Sequence, residues 1–96
     1  MVMTVLEAQV LPDRVMELEE AYREGTSEIP PEIVETFLVR EMGEPARFRI
    51  VTVWTSRDAL DAMRQSGVTP RGVQIFQSIG AAPVLSVHDV VVHQRR

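Results

Sequence analysis

The sequence predicts an α+β domain of order β-α-β-β-α-β, and three observations carry that prediction. Apolar residues alternate singly in four runs, and in the segments between them they recur at three- and four-residue steps. Gly25, Pro30-Pro31, Gly43 and Gly67 punctuate the chain between those runs. Two of the strand-like runs are apolar on both faces, so the sheet needs cover on both sides.

Taken in order, Thr4, Leu6, Ala8 and Val10 alternate with Val5, Glu7 and Gln9, the period-two pattern of a first strand. Pro12 suits a first helical turn, and Leu11, Val15, Leu18 and Tyr22 follow as the stripe of a helix that ends near Gly25. Glu17, Glu20 and Glu24 form its solvated side. GTSEIPPE is a loop, Ile33 to Glu41 a second strand, MGEPA a turn, and Phe48 to Trp54 a third strand antiparallel to the second. Thr55 or Ser56 caps a helix carrying Ala59, Leu60, Ala62 and Met63, with Gly67 as its stop. Thr69-Pro70 starts a shorter helix with Val73, Phe76 and Ile79, closed by Gly80. Pro83 then opens a last strand, VLSVHDVVVH.

This order is the split β-α-β, ferredoxin-like arrangement with an antiparallel sheet. Right-handed crossovers put both main helices on one face and leave the other bare. In the third strand Phe48, Ile50 and Trp54 face one way and Val51 and Val53 the other. The last strand sets Val84, Val90 and Val92 against Leu85, Val87 and Val91. Burying about five such side chains contributes on the order of 5 kcal/mol per subunit at about 25 cal/mol/Å². A homodimer is therefore expected, with the sheets facing each other across a shared core to give a dimeric α/β barrel.

Composition excludes several function classes. The chain has 96 residues, 45% hydrophobic and 25% charged, which is one domain, and its net charge of −4 disfavours nucleic acid and anionic membranes. There is no cysteine, hence no disulfide or thiolate site, and no lysine, hence no Schiff base. No asparagine is present to hold an oxyanion. The N-terminal residues lack a signal-peptide pattern and no segment nears the roughly 20 apolar residues of a membrane span, so a cytoplasmic location is expected.

Trp54 is the only tryptophan and ends a strand at a capped helix, which makes it the best candidate to line a ligand pocket. A core aromatic sealing sheet to helix has the same signature. Thr52 shares its face and is suited to donate to a ligand oxygen, as is Tyr22 at the end of the first helix stripe. Met63, Phe76 and Ile50 fit core periodicity and equally the lining of an apolar pocket. His88 and His93 are the chain's two histidines; five residues apart on one strand they point to opposite faces, so no chelating pair forms and no metal site is expected. His88 is a candidate general base. Arg40 and Arg49, on paired strands, are expected to pair with Glu7, Glu35 or Glu41, or to balance an anionic intermediate.

TVWTSRDALDAMRQSG, the preceding PPEIVETFLVRE and the ending GAAPVLSVHDVVV together resemble the antibiotic biosynthesis monooxygenase domain family. The resemblance implies a dimeric α/β barrel and cofactor-free oxygenation of a small or polycyclic aromatic phenol or quinol, with Trp54 where the family often places a pocket tryptophan; Trp54 and His88 are the catalytic candidates and no cofactor is expected. Four residues before Trp54, where several of the family's oxygenases carry an asparagine, stands Ile50. The family's haem-degrading members carry a histidine in the region directly after the second helix and an asparagine on the first strand; between Gln65 and Pro83 this chain has no histidine, and it has no asparagine at all. A non-catalytic ligand-binding or interaction module on the same dimeric scaffold is the alternative. An amino-acid-sensing domain of the same strand order is disfavoured, because VLPDR has no glycine to admit a ligand to the backbone.

Overall fold

Strict alternation over Val2–Gln9 forms β1, whose residues Val2, Thr4, Leu6 and Ala8 are buried while the intervening ones are not. The computed structural model describes residues 1–96. After a 3₁₀ turn at Pro12–Arg14 come α1 (Val15–Gly25), β2 (Ile33–Glu41), β3 (Glu44–Trp54), α2 (Arg57–Gln65), α3 (Arg71–Ser78) and β4 (Val84–Asp89). The strands form one antiparallel sheet of order β2-β3-β1-β4, the α+β ferredoxin-like arrangement. No helix is long and apolar enough to cross a membrane.

Three local details differ from the sequence expectation. Leu11 is 68% exposed and extended, outside the helix stripe, because the chain enters α1 through the 3₁₀ turn that Pro12 opens. The turn after β2 shrinks to Met42-Gly43, and β3 starts at Glu44. Pro45 then falls in the irregularity between the Glu41↔Glu44 and Arg40↔Phe48 pairs, where its missing N–H costs no ladder bond. The last strand stops at Asp89, opposite Val2, the first residue of β1. Val90 still reaches the Met1 carbonyl at 3.1 Å, but Val91, Val92 and His93 lie outside the sheet.

All helices pack on the face that carries Leu6, Ile50 and Trp54. Leu18 from α1 and Ile75 and Phe76 from α3 join Leu6, Ala8, Phe48 and Ile50 in the main core. Gly72 lets α3 come this close: a Cβ there would stand 2.6 Å from Leu6 Cδ1. On α2, Ser56 caps by accepting from the Ala59 N–H at 3.1 Å, and Gly67, at φ +78°, turns the chain away after the last helical turn. Leu60 of α2 forms a second, smaller core with Val2 and Trp54.

The opposite face holds no helix. A transverse row of register partners, Phe37, Val51 and Val5, crosses its middle, with Phe37 46% exposed. Val53 and Met3 form the row beside it. Toward the β2–β3 turn, Arg49 donates to Glu7 at 2.7 Å and to Glu41 at 3.0 Å, and Arg47 donates to the other Glu41 oxygen at 3.1 Å. The hydrogen bond from Arg49 chiefly, then the charges of both arginines, hold the Glu41 carboxyl below its usual range. The expected pairing of Arg49 with Glu7 and Glu41 is what forms. Arg40 instead lies over the Phe48 ring, 4.9 Å from its centroid.

Candidate functional site

The two cores do not merge. Between them, under α2 and the start of α3, the sheet is left with a cavity of about 530 Å³. The floor is made by Leu6, Ile50, Thr52 and Trp54; Leu60 and Met63 close one wall, Gly72 and Ile75 the other, and Tyr22 and Ile29 stand near α1 and the loop after it. This volume is in the range of small-ligand sites. All four charged residues that line it, Glu28, Glu32, Arg64 and Arg71, are exposed, so charge is confined to the rim. Arg71 is held there by donating to the Gly25 carbonyl at 2.6 Å.

The polar groups inside are neutral and come from a pattern that single strands conceal. Thr36, Thr52 and Thr4 are cross-strand partners on β2, β3 and β1, and so stand in a line across the floor. The Tyr22 hydroxyl donates to Thr36 Oγ1 at 3.0 Å, and Thr36 and Thr52 share a hydrogen bond of 3.3 Å. At the far end the Trp54 indole N–H donates to Thr4 Oγ1 at 3.1 Å. That bond ties the ring to β1 and keeps its apolar body in contact with Leu60 and the cavity. Both readings of Trp54, core seal and pocket wall, are thus satisfied by one side chain.

Of the sequence candidates, the structure brings Tyr22, Ile50, Thr52, Trp54 and Met63 to this cavity. It does not bring Phe76 or His88. Phe76 has no exposed surface and packs wholly within the main core. His88 is the register partner of Met3, on the helix-free face, where its Nε2 lies 2.9 Å from Ser86 Oγ. Its place on the opposite side of the sheet removes it as a base for anything bound in the cavity, and His93 lies past the end of β4. Sequence reasoning missed Thr4 and Thr36. A polar residue inside the apolar alternating set of β1 was the available signal, but aligning it with Thr52 requires the register.

The fold and cavity define a small α+β domain with a ligand-sized space between sheet and helices. A model of the family described as antibiotic biosynthesis monooxygenase matches residues 1–73, and the chain belongs to that family. SnoaB of Streptomyces nogalater, a cofactor-independent oxygenase solved as an asparagine-to-alanine variant, is 19% identical with a TM-score of 0.73, covering 99% of this chain and 97% of that one. An arginine-to-serine variant of MhuD, solved with two manganese protoporphyrin IX molecules per active site, is 16% identical with a TM-score of 0.76 over the whole of both chains. A conserved protein of Methanosarcina mazei Go1 is 15% identical with a TM-score of 0.71, covering 91% of this chain and 89% of that one. At these identities the likeness speaks for the fold. No curated protein matches by sequence.

Proposed function

We propose that the chain is a cofactor-independent monooxygenase of a small or polycyclic aromatic phenol or quinol, bound in the cavity beside Trp54. The observation that carries this reading is an apolar space whose only interior polar groups are neutral donors, joined to membership of the family. An electron-rich ring excluded from water loses a proton and gives electrons to dioxygen. For a ring methylene the reaction balances as one methylene and one dioxygen giving one ring ketone and one water. The carbon is oxidised, its two C–H bonds are replaced by a carbonyl, one oxygen atom stays on the ring and the other leaves as water with both hydrogens. Trp54 orients the ring, and the hydroxyl row faces the oxygen on which negative charge develops. The carboxylates that line the cavity, Glu28 and Glu32, are both exposed at the rim, where the substrate proton would leave to solvent.

The helix-free face supports a homodimer in this reading. Phe37, Val51, Val53, Val5 and Met3 form a patch that a second copy covers with the same residues, while the Glu7-Arg49-Glu41-Arg47 network marks its polar border. No histidine lines the cavity to serve as an axial ligand, so nothing in its lining supports a porphyrin-binding reading by analogy with MhuD.

Dioxygen consumption with a panel of anthrones and hydroquinones tests the enzyme reading. Trp54→Phe keeps an aromatic but loses the bond to Thr4, and turnover is expected to fall about ten-fold or more, the equivalent of about 1.4 kcal/mol. Turnover of no substrate by the wild type removes the enzyme claim. One observation favours a second reading, a non-catalytic binding module: no carboxylate or imidazole lies inside the cavity. A ligand that raises the melting temperature without being consumed supports that alternative.

A further inference from the structure

We infer that Thr52 and Thr4 form a two-donor clamp for a single acceptor oxygen, a ring carbonyl or a neutral phenol, and so select oxygen-bearing ligands over hydrocarbons of the same shape. The inference rests on the aromatic-cavity reading above and goes further in naming the atom that is gripped.

A count of protons carries it. The row contains five donors: the hydroxyls of Tyr22, Thr36, Thr52 and Thr4, and the indole N–H of Trp54. Three bonds use three of them: Tyr22 to Thr36, one between Thr36 and Thr52, and Trp54 to Thr4. No hydrogen bond joins Thr52 to Thr4, although they are register partners, and neither hydroxyl is bonded to a backbone carbonyl. Thr4 accepts from Trp54, so its own proton is uncommitted. In the other group one proton is also spare: it sits on Thr36 if Thr52 donates, and on Thr52 if Thr36 donates. An acceptor placed between Thr52 and Thr4 selects the second arrangement, in which Tyr22 donates to Thr36, Thr36 to Thr52 and Thr52 to the ligand. Each link in such a chain strengthens the next.

Thr4 is only 8% exposed, at the deep end of the row, so the clamped oxygen points down into the floor while the ring lies among Ile50, Leu60 and Met63. With no fixed charge inside, the clamp suits an oxygen that is neutral in the ground state and gains charge on reaction. It does not suit a carboxylate, whose second oxygen has no donor there. A site that offers a donor to a ligand oxygen discriminates against the analogue lacking it, because the donor is left unpaired.

Trp54 is the only tryptophan and lines the cavity, so its emission reports occupancy. The probes are 1-tetralone and tetralin, bicyclic rings that differ in one carbonyl, titrated into the full chain and into Thr52→Val and Thr52→Ser. The wild type is expected to bind the ketone about ten-fold more tightly than the hydrocarbon. In Thr52→Val the preference should fall to about two-fold with tetralin affinity unchanged, and Thr52→Ser, which keeps the hydroxyl, should restore it. A preference that survives Thr52→Val, or equal binding of the two probes by the wild type, overturns the clamp and leaves the aromatic cavity standing. Failure of both probes to perturb Trp54 overturns the cavity reading and the clamp with it.

Discussion

Phe76→Ala is expected to destabilise the protein by about 3–5 kcal/mol, the usual range for deleting a buried phenylalanine ring. Phe76 has no solvent exposure and packs in the cluster that holds Leu18, Leu6 and Ile50 together. It sits on α3, eight residues long, which has no side-chain cap and is held to the sheet by its apolar face. Domains of this size have a total stability of roughly 5–15 kcal/mol, so the loss is a large share of the whole. Urea unfolding measured by far-UV circular dichroism checks it. A midpoint close to that of the wild type would mean that α3 is not anchored by this ring. Because Phe76 lies outside the cavity, its effect should appear in stability, where that of Trp54→Phe appears in turnover.

Val51→Asp is expected to convert the proposed homodimer to monomer. Val51 lies at the centre of the helix-free face, between Phe37 on β2 and Val5 on β1. In a single copy the new carboxylate still reaches water, since Val51 is only partly buried, and the fold should survive. Across a two-fold interface the same change brings two carboxylates together without a partner. An uncompensated buried charge costs about 3–5 kcal/mol, which weakens association by about a hundred-fold or more. Sedimentation equilibrium at micromolar concentration distinguishes the outcomes: dimer for the wild type and monomer for the variant. A monomeric wild type would leave the apolar face without the occupant assigned to it.

The legible parts of this fold were those set by local pattern. Alternation in Thr4 to Val10, the Ser56 cap, and the glycines after α2 and α3 each report a short-range constraint, and each gave an element of the expected kind. The division of β3 into Phe48, Ile50 and Trp54 against Val51 and Val53 also held, because side-chain direction in a strand has a period of two whatever the neighbours do. What was not legible depended on pairing. The last strand ends opposite the first residue of β1, a pairing that VLSVHDVVVH does not contain. Phe76 shares its apolar character and spacing with pocket-lining residues, and only the approach of α3 to the sheet buries it completely. His88 could not be assigned to a face until Met3 was its partner. The threonine row is the clearest case: Thr4, Thr36 and Thr52 are separated by 32 and 16 positions in sequence and become neighbours only through two strand registers.

The fate of the two atoms of dioxygen tests the proposed chemistry most directly. Turnover of an anthrone under ¹⁸O-labelled dioxygen, with the product examined by mass spectrometry, should place one labelled atom in the new ring carbonyl and the other in water. A ketone product free of label, its new oxygen taken from water and two molecules of hydrogen peroxide formed per substrate lost, would show electron transfer without oxygen insertion and contradict monooxygenation in this cavity.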